Sequence, residues 1–224
     1  MPLYMTEVKY TLTMSWEATE RYGARTAPAG LALVQDLVNT HAVERDGSDL
    51  LTSHASAQRW LQAATRQWAS DRRVKPPDSD LSETDLQTLR DLRTTAQEML
   101  AVPADQRPAS MGGQPPGAER RTQVALVSDD EGRVAMVPFG TGASWLGSAV
   151  WSEILLAQQT GAWSRLKLCR EAGCRSAFYD TSRNGSGVWH NVRSCGNIAN
   201  LQTSRARRKT RTAAHSGGRE AVVE

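Results

Sequence analysis

The sequence predicts an α+β protein. A mixed helical and β-hairpin N-terminal domain is expected over residues 1–160. A small C-terminal module over 163–211 ends in a basic helix, and a disordered tail follows over 212–224. Three observations predict this. Apolar residues recur at helical spacing in several stretches before residue 160, with one hairpin pattern among them. All three cysteines fall within residues 169–195. The charge is segregated: residues 165–211 hold eleven Lys/Arg against two acids, a net +9, so the rest of the chain carries −6 of the overall +3.

The elements follow in chain order. Residues 8–16 alternate, with Val8, Tyr10, Leu12, Met14 and Trp16 on one side and Lys9, Thr11, Thr13 and Ser15 on the other, as in a half-buried strand. Gly23 to Gly30 reads as a loop, and Leu31 to Val38 as a helix. Asp46-Gly47-Ser48 is a turn. Ser53 to Trp68 is an amphipathic helix that turns Ala57, Trp60, Leu61, Ala64 and Trp68 inward. After Pro76-Pro77, Leu81 to Ala101 forms the clearest helix, with Ser82 and Asp85 spaced as a capping box. Residues 103–118 are a Pro/Gly-rich loop. Val124 to Val127, a turn through Gly132, and Val134 to Phe139 make a hairpin. Ser144 to Gln159 is an apolar helix capped by Thr141 or Ser144 and ended by Gly161; a cap explains Gly140-Thr141-Gly142 without a phosphate ligand.

Hydrophobic residues at 39% and charged residues at 23% are ordinary for a globular chain and exclude wholesale disorder. No stretch approaches the roughly 18 uncharged apolar residues of a membrane span. The start lacks a basic segment followed by an apolar one, which points to a cytoplasmic protein. No nucleophile–base pair accompanies His41 or His54, so no enzymatic activity is expected and both histidines are assigned structural or surface roles.

Cys169, Cys174, His190 and Cys195 are the informative residues. Their spacing is C-x4-C, fifteen residues, then H-x4-C. Two ligand pairs, each in a short turn and joined by a loop, deliver the tetrahedral N/S set of one structural zinc ion. Four protein ligands leave no open position for a catalytic water. A module of about fifty residues has too few apolar groups for a core of its own and needs such a staple. Cys195 is expected at a helix start, where the dipole favours its thiolate.

The run from Cys169 to Arg208 resembles the CGNR-type zinc finger through Phe178, Tyr179, Asp180, Ser182, Arg183, Asn184, Gly185, Ser186, Trp189, Cys195, Gly196 and Asn197. Upstream, Leu31-Ala32-Leu33, Asp36-Leu37-Val38-Asn39-Thr40 and Asp49-Leu50-Leu51 resemble the ABATE domain, the usual partner of that finger. The resemblance implies a stress-induced transcriptional regulator whose finger binds double-stranded DNA and whose N-terminal domain senses a small-molecule effector or mediates homodimerisation. His190 stands where the family has its third cysteine, and imidazole is an equally good ligand. Ile198, Gly187 and Val188 replace family arginines, and Asn200, Gln202 and Thr203 hold positions that are usually basic. These replacements remove part of the phosphate-contacting surface.

The expected nucleic-acid contacts are Arg183, Arg193, Arg205, Arg207, Arg208, Lys209 and Arg211. On a helix from about Ser194 to Arg211, residues 205, 208 and 209 share a face, and 207 and 211 form an adjacent row. Arg183 and Asn184 have the chemistry to read base edges; the local reading makes Asn184 a turn residue and Asp180 a partner for Arg or a backbone N–H. The rival reading is a zinc-stapled module that docks protein or RNA, which the missing arginines favour.

Overall fold

The computed structural model describes residues 15–42, 47–107 and 121–216, with side chains described as far as Arg208 except Ala206. Residues 8–14 of the expected strand, Asp46 of the expected turn and residues 108–118 of the expected loop lie outside that set. Trp16, the expected end of the strand, instead caps a short helix, α1 (Glu17–Glu20), and is buried.

The body is built around α2 (Leu31–Val38), which has the expected bounds and is buried along its whole length. Around it pack α1, α3 (His54–Arg72), α4 (Asp85–Ala101) and α5 (Gly142–Gln159). A helix apolar all round belongs at the centre of a core. Its polar residues therefore need partners. Asp36 accepts from Thr19 N (2.7 Å) and Trp60 Nε1 (2.9 Å), which ties α1 and α3 to α2. Thr40 Oγ1 donates to Leu37 O and accepts from Arg93 of α4.

Helix starts follow local chemistry. Ser53 and Ser56 form a reciprocal capping box on α3. Thr141 N donates to Ser144 Oγ at the start of α5. α4 begins at Asp85 rather than Leu81: Asp85 Oδ2 accepts from Ser82 N, but Ser82 Oγ turns to Thr84, so only half of the expected box forms. Glu153 of α5 is buried, accepts from Trp68 Nε1 and pairs with Arg72 of α3. Its carboxylate lies against Gly30, where a Cβ would overlap it, so a larger residue there would push the Glu153 side chain away from Trp68 and Arg72.

Two antiparallel hairpins complete the described structure. β1 (Val124–Ser128) and β2 (Val134–Pro138) pair Val124 with Pro138 through Ser128 with Val134, as the alternation predicts. Pro138 is tolerated because its ring nitrogen faces away from β1. β3 (Leu166–Leu168) and β4 (Ala177–Tyr179) pair Leu166 with Tyr179 through Leu168 with Ala177. This second hairpin is part of the body's core, where Trp163, Leu166 and Ala177 are buried with the helices. After it, a π-helical turn (Val192–Gly196) leads into α6 (Asn197–Ser216). α6 extends past Arg211, so residues 212–216, expected in the tail, are helical. No helix among the described residues is long and apolar enough to cross a membrane.

Candidate metal centre

β3 and β4 carry the first two ligands on the connection between them. Cys169 N donates to Ser176 O, and Cys174 N donates to Glu171 O, so the connection closes as a tight turn. Arg175 adopts a left-handed conformation (φ 49°) as the chain leaves that turn. His190 precedes Asn191, whose side chain accepts from Arg193 N and Ser194 N and so starts the helical segment. Cys195 therefore sits in the first helical turn, as its sequence position predicts. Gly196 packs on Trp189 and Val192 with no room to spare for a Cβ.

The four ligand atoms converge. Those of Cys169, Cys174, His190 and Cys195 all lie within 4.8 Å of one another, and all three sulfurs are buried. His190 Nδ1 is 3.3 Å from Cys174 Sγ and 3.6 Å from Cys195 Sγ. A zinc tetrahedron with Zn–S near 2.3 Å and Zn–N near 2.0–2.1 Å has S···N edges of about 3.6 Å. The donor set, spacing and burial fit one structural zinc ion, with Trp189 packed against the sulfurs. Contact with the Cys169 thiol, followed by His190 and Ser176, holds Cys174 far below the usual thiol range, although its burial opposes this. Burial and the neighbouring Cys174 push Cys195 up. Bound zinc holds all three as thiolates.

Asp180 has the structural role expected of it. Burial pushes its carboxyl up, but Lys167 and the N–H groups of Ser182 and Gly187 outweigh that and hold it well below the ordinary carboxylate range. Gly187, one of the departures from the family pattern, lies directly on this carboxylate. A Cβ there would fall 2.7 Å from Asp180 Oδ1. Lys167 also donates to Gly185 O and Gly187 O, so one ion pair ties β3 to the loop between the ligand pairs.

The expected nucleic-acid residues do not gather at one point. Arg183 lies on the exposed loop between the ligand pairs and Arg193 on the π-helical turn; Arg205, Arg207 and Arg208 are exposed on α6. The side chains of Lys209 and Arg211 are outside the described set. His41 and His54 each contact backbone carbonyls. His54 Nε2 lies 2.9 Å from Leu81 O. His41 lies between Val38 O (2.8 Å from Nδ1) and Cys174 O (3.2 Å from Nε2). Sequence reasoning missed the residues through which the body grips the metal-binding hairpin: Gln35, Asn39, His41 and Arg107. The Asp36–Thr40 motif was the available signal, since polar residues in and just after a fully buried helix need buried partners.

Comparison with known protein families agrees with the geometry. Residues 165–208 match the family model of the CGNR zinc finger. That span contains all four ligands, the β3–β4 hairpin and the start of α6. The protein thus contains a zinc finger domain of that family. No curated protein matches the chain.

Proposed function

We propose that this protein is a zinc-dependent, DNA-binding transcriptional regulator. Its finger positions a basic helix on duplex DNA, and its ABATE-like body senses a ligand or mediates dimerisation. The observation that carries this reading is the exposure of Arg205, Arg207 and Arg208 on α6, which follows directly on the π-helical turn that holds the ligand Cys195. The metal fixes where the helix starts, and the arginines follow a phosphate backbone along it. For the body, support comes from a groove of about 1240 Å³ whose lining includes Trp68, Trp145, Trp151 and Phe139, together with Lys75 and Arg121. The test is a duplex-DNA titration of the zinc-loaded protein at two salt concentrations, repeated with Arg205, Arg207 and Arg208 changed to Ala. A steep salt slope that flattens in the triple variant supports the reading. No binding at low salt rejects it.

A second reading, a zinc-stapled module that docks protein or RNA, draws on one observation. Val192 (68% exposed) and Leu201 (57% exposed) place apolar surface beside the arginines. Binding of single-stranded RNA in preference to duplex DNA, or no nucleic-acid binding at all, would favour it.

A further inference from the structure

The two halves of the metal site are held in different ways. The half that carries Cys169 and Cys174 is anchored in the body. Cys169 N–Ser176 O and Asp180 N–Arg165 O mark the hydrogen-bonded pairs of the β3–β4 ladder. Pairs alternate along an antiparallel ladder, so Ala177 and Leu166 lie at the intervening positions, with their backbone groups facing outward. Body side chains meet both outward edges. Asn39 Oδ1 accepts from Ala177 N (2.7 Å) while its Nδ2 donates to Ala177 O (3.0 Å), the pair of bonds a third strand would make. Gln35 Nε2 adds a donor to Ala177 O (3.2 Å). On the other edge, Arg107 Nη1 donates to Leu166 O (2.8 Å). Asn39, Gln35, Ser176 and Ala177 have no measurable exposure. Two residues carry the grip to the sulfur: His41 meets Cys174 O, and Ser176 Oγ lies 3.1 Å from Cys174 Sγ.

The half that carries His190 and Cys195 is held differently. Asn191 to Ser194 are exposed on the approach to α6, as is most of α6 as far as Arg208. Among the described residues its ties to the first half include the Arg170 N–Val188 O bond, the Lys167–Asp180–Gly187 network and the ligand cluster itself.

We infer that the body holds the Cys169–Cys174 half of the zinc site formed before metal arrives, with Asn39 as the main positioning residue, and that zinc recruits the His190–Cys195 half onto it. An isolated finger must fold both halves at the cost of its binding energy. Here the body supplies one half.

The inference rests on the zinc site and is tested with the full chain. Amide hydrogen exchange is followed by mass spectrometry before and after stripping the metal with a chelator. Peptides covering 166–179 should keep nearly their zinc-loaded protection, while peptides covering 188–200 exchange faster by about 10²-fold or more. Asn39→Asp keeps the acceptor for Ala177 N but loses the donor to Ala177 O. It should weaken zinc binding by about tenfold or more in chelator competition, the size typical of partners outside the ligand shell. Leu61→Ala, a core change in α3 rather than in α4, which packs on β3, should lower the melting temperature without moving zinc affinity, which separates positioning from general destabilisation. The inference is overturned if 166–179 loses protection as completely as 188–200 in the stripped wild type. That exchange result stands even if Asn39→Asp fails to fold. The inference is also overturned if a folded Asn39→Asp chain binds zinc within about twofold of wild type. A wild-type chain with no stoichiometric zinc would instead overturn the metal site itself.

Discussion

The two hairpins invert the usual relation between strand length and security. β1 and β2 are five residues each, alternate clearly and have a regular turn, yet Leu126 is 71% and Val134 68% exposed. β3 and β4 are three residues each, yet Leu166 and Ala177 are fully buried and side chains far away in sequence bond their outer edges. Two strands alone bury too little to be stable in water, and three-residue strands bury less still. The shorter hairpin is the better anchored because the body completes it from both sides. A metal-binding turn needs that anchoring more than a long ladder.

The largest expected effect falls on the ligands. Cys174→Ala should abolish stoichiometric zinc, since structural sites of this kind bind with about 10–16 kcal/mol and a missing thiolate leaves three ligands. Zinc retained at one equivalent, measured by metal analysis after dialysis, would break the assignment. Next is Leu166→Ala in β3, expected to cost about 2–5 kcal/mol in denaturant unfolding because no exposed surface cushions the cavity. A cost below about 1 kcal/mol would mean that the short hairpin is not part of the core.

A comparable effect is a pH dependence at Asp36, on the helix that grips β4. Burial pushes its carboxyl up to about 6 from an ordinary 3.8, against the bonds from Trp60 and Thr19. The folded chain holds this proton more tightly than the unfolded chain does. Wild type should therefore lose stability relative to Asp36→Asn as pH rises from about 4 to about 6, by a difference on the order of 3 kcal/mol, and then level off. A flat difference would show that Asp36 is ionised throughout. The smallest effect is Leu126→Ala in β1, expected within about 0.5 kcal/mol of wild type. A larger loss would show that something covers the long hairpin and would remove half of the contrast.

What was legible in the sequence follows the same division. Helical and alternating periodicity give α2, α5 and the β1–β2 hairpin to within two residues and the start of α3, which runs on to Arg72 past the expected Trp68, because local pattern and tertiary placement agree there. The four zinc ligands are legible because their spacing is itself a geometric requirement. β3 and β4 are not, since three residues carry no period and their strand conformation depends on Asn39, Gln35 and Arg107, far away in sequence. α4 started late because Ser82 found a nearer partner than the helix backbone. The Asp36–Thr40 motif was visible as a motif, but its work was not: a single Asn standing in for a strand leaves no trace in composition or spacing.

The position of Cys195 in the π-helical turn that leads into the twenty-residue α6 has a mechanical consequence. At 1.5 Å per residue, α6 reaches about 30 Å from the metal, and Arg205 to Arg208 lie about 14–18 Å out from Gly196. A tilt of about 10° at the zinc end carries the far tip through about 5 Å, most of the width of a minor groove. The ligand cluster thus lies at the fulcrum of a lever, and the same tilt would reach the arginines as a displacement of about 2.5–3 Å.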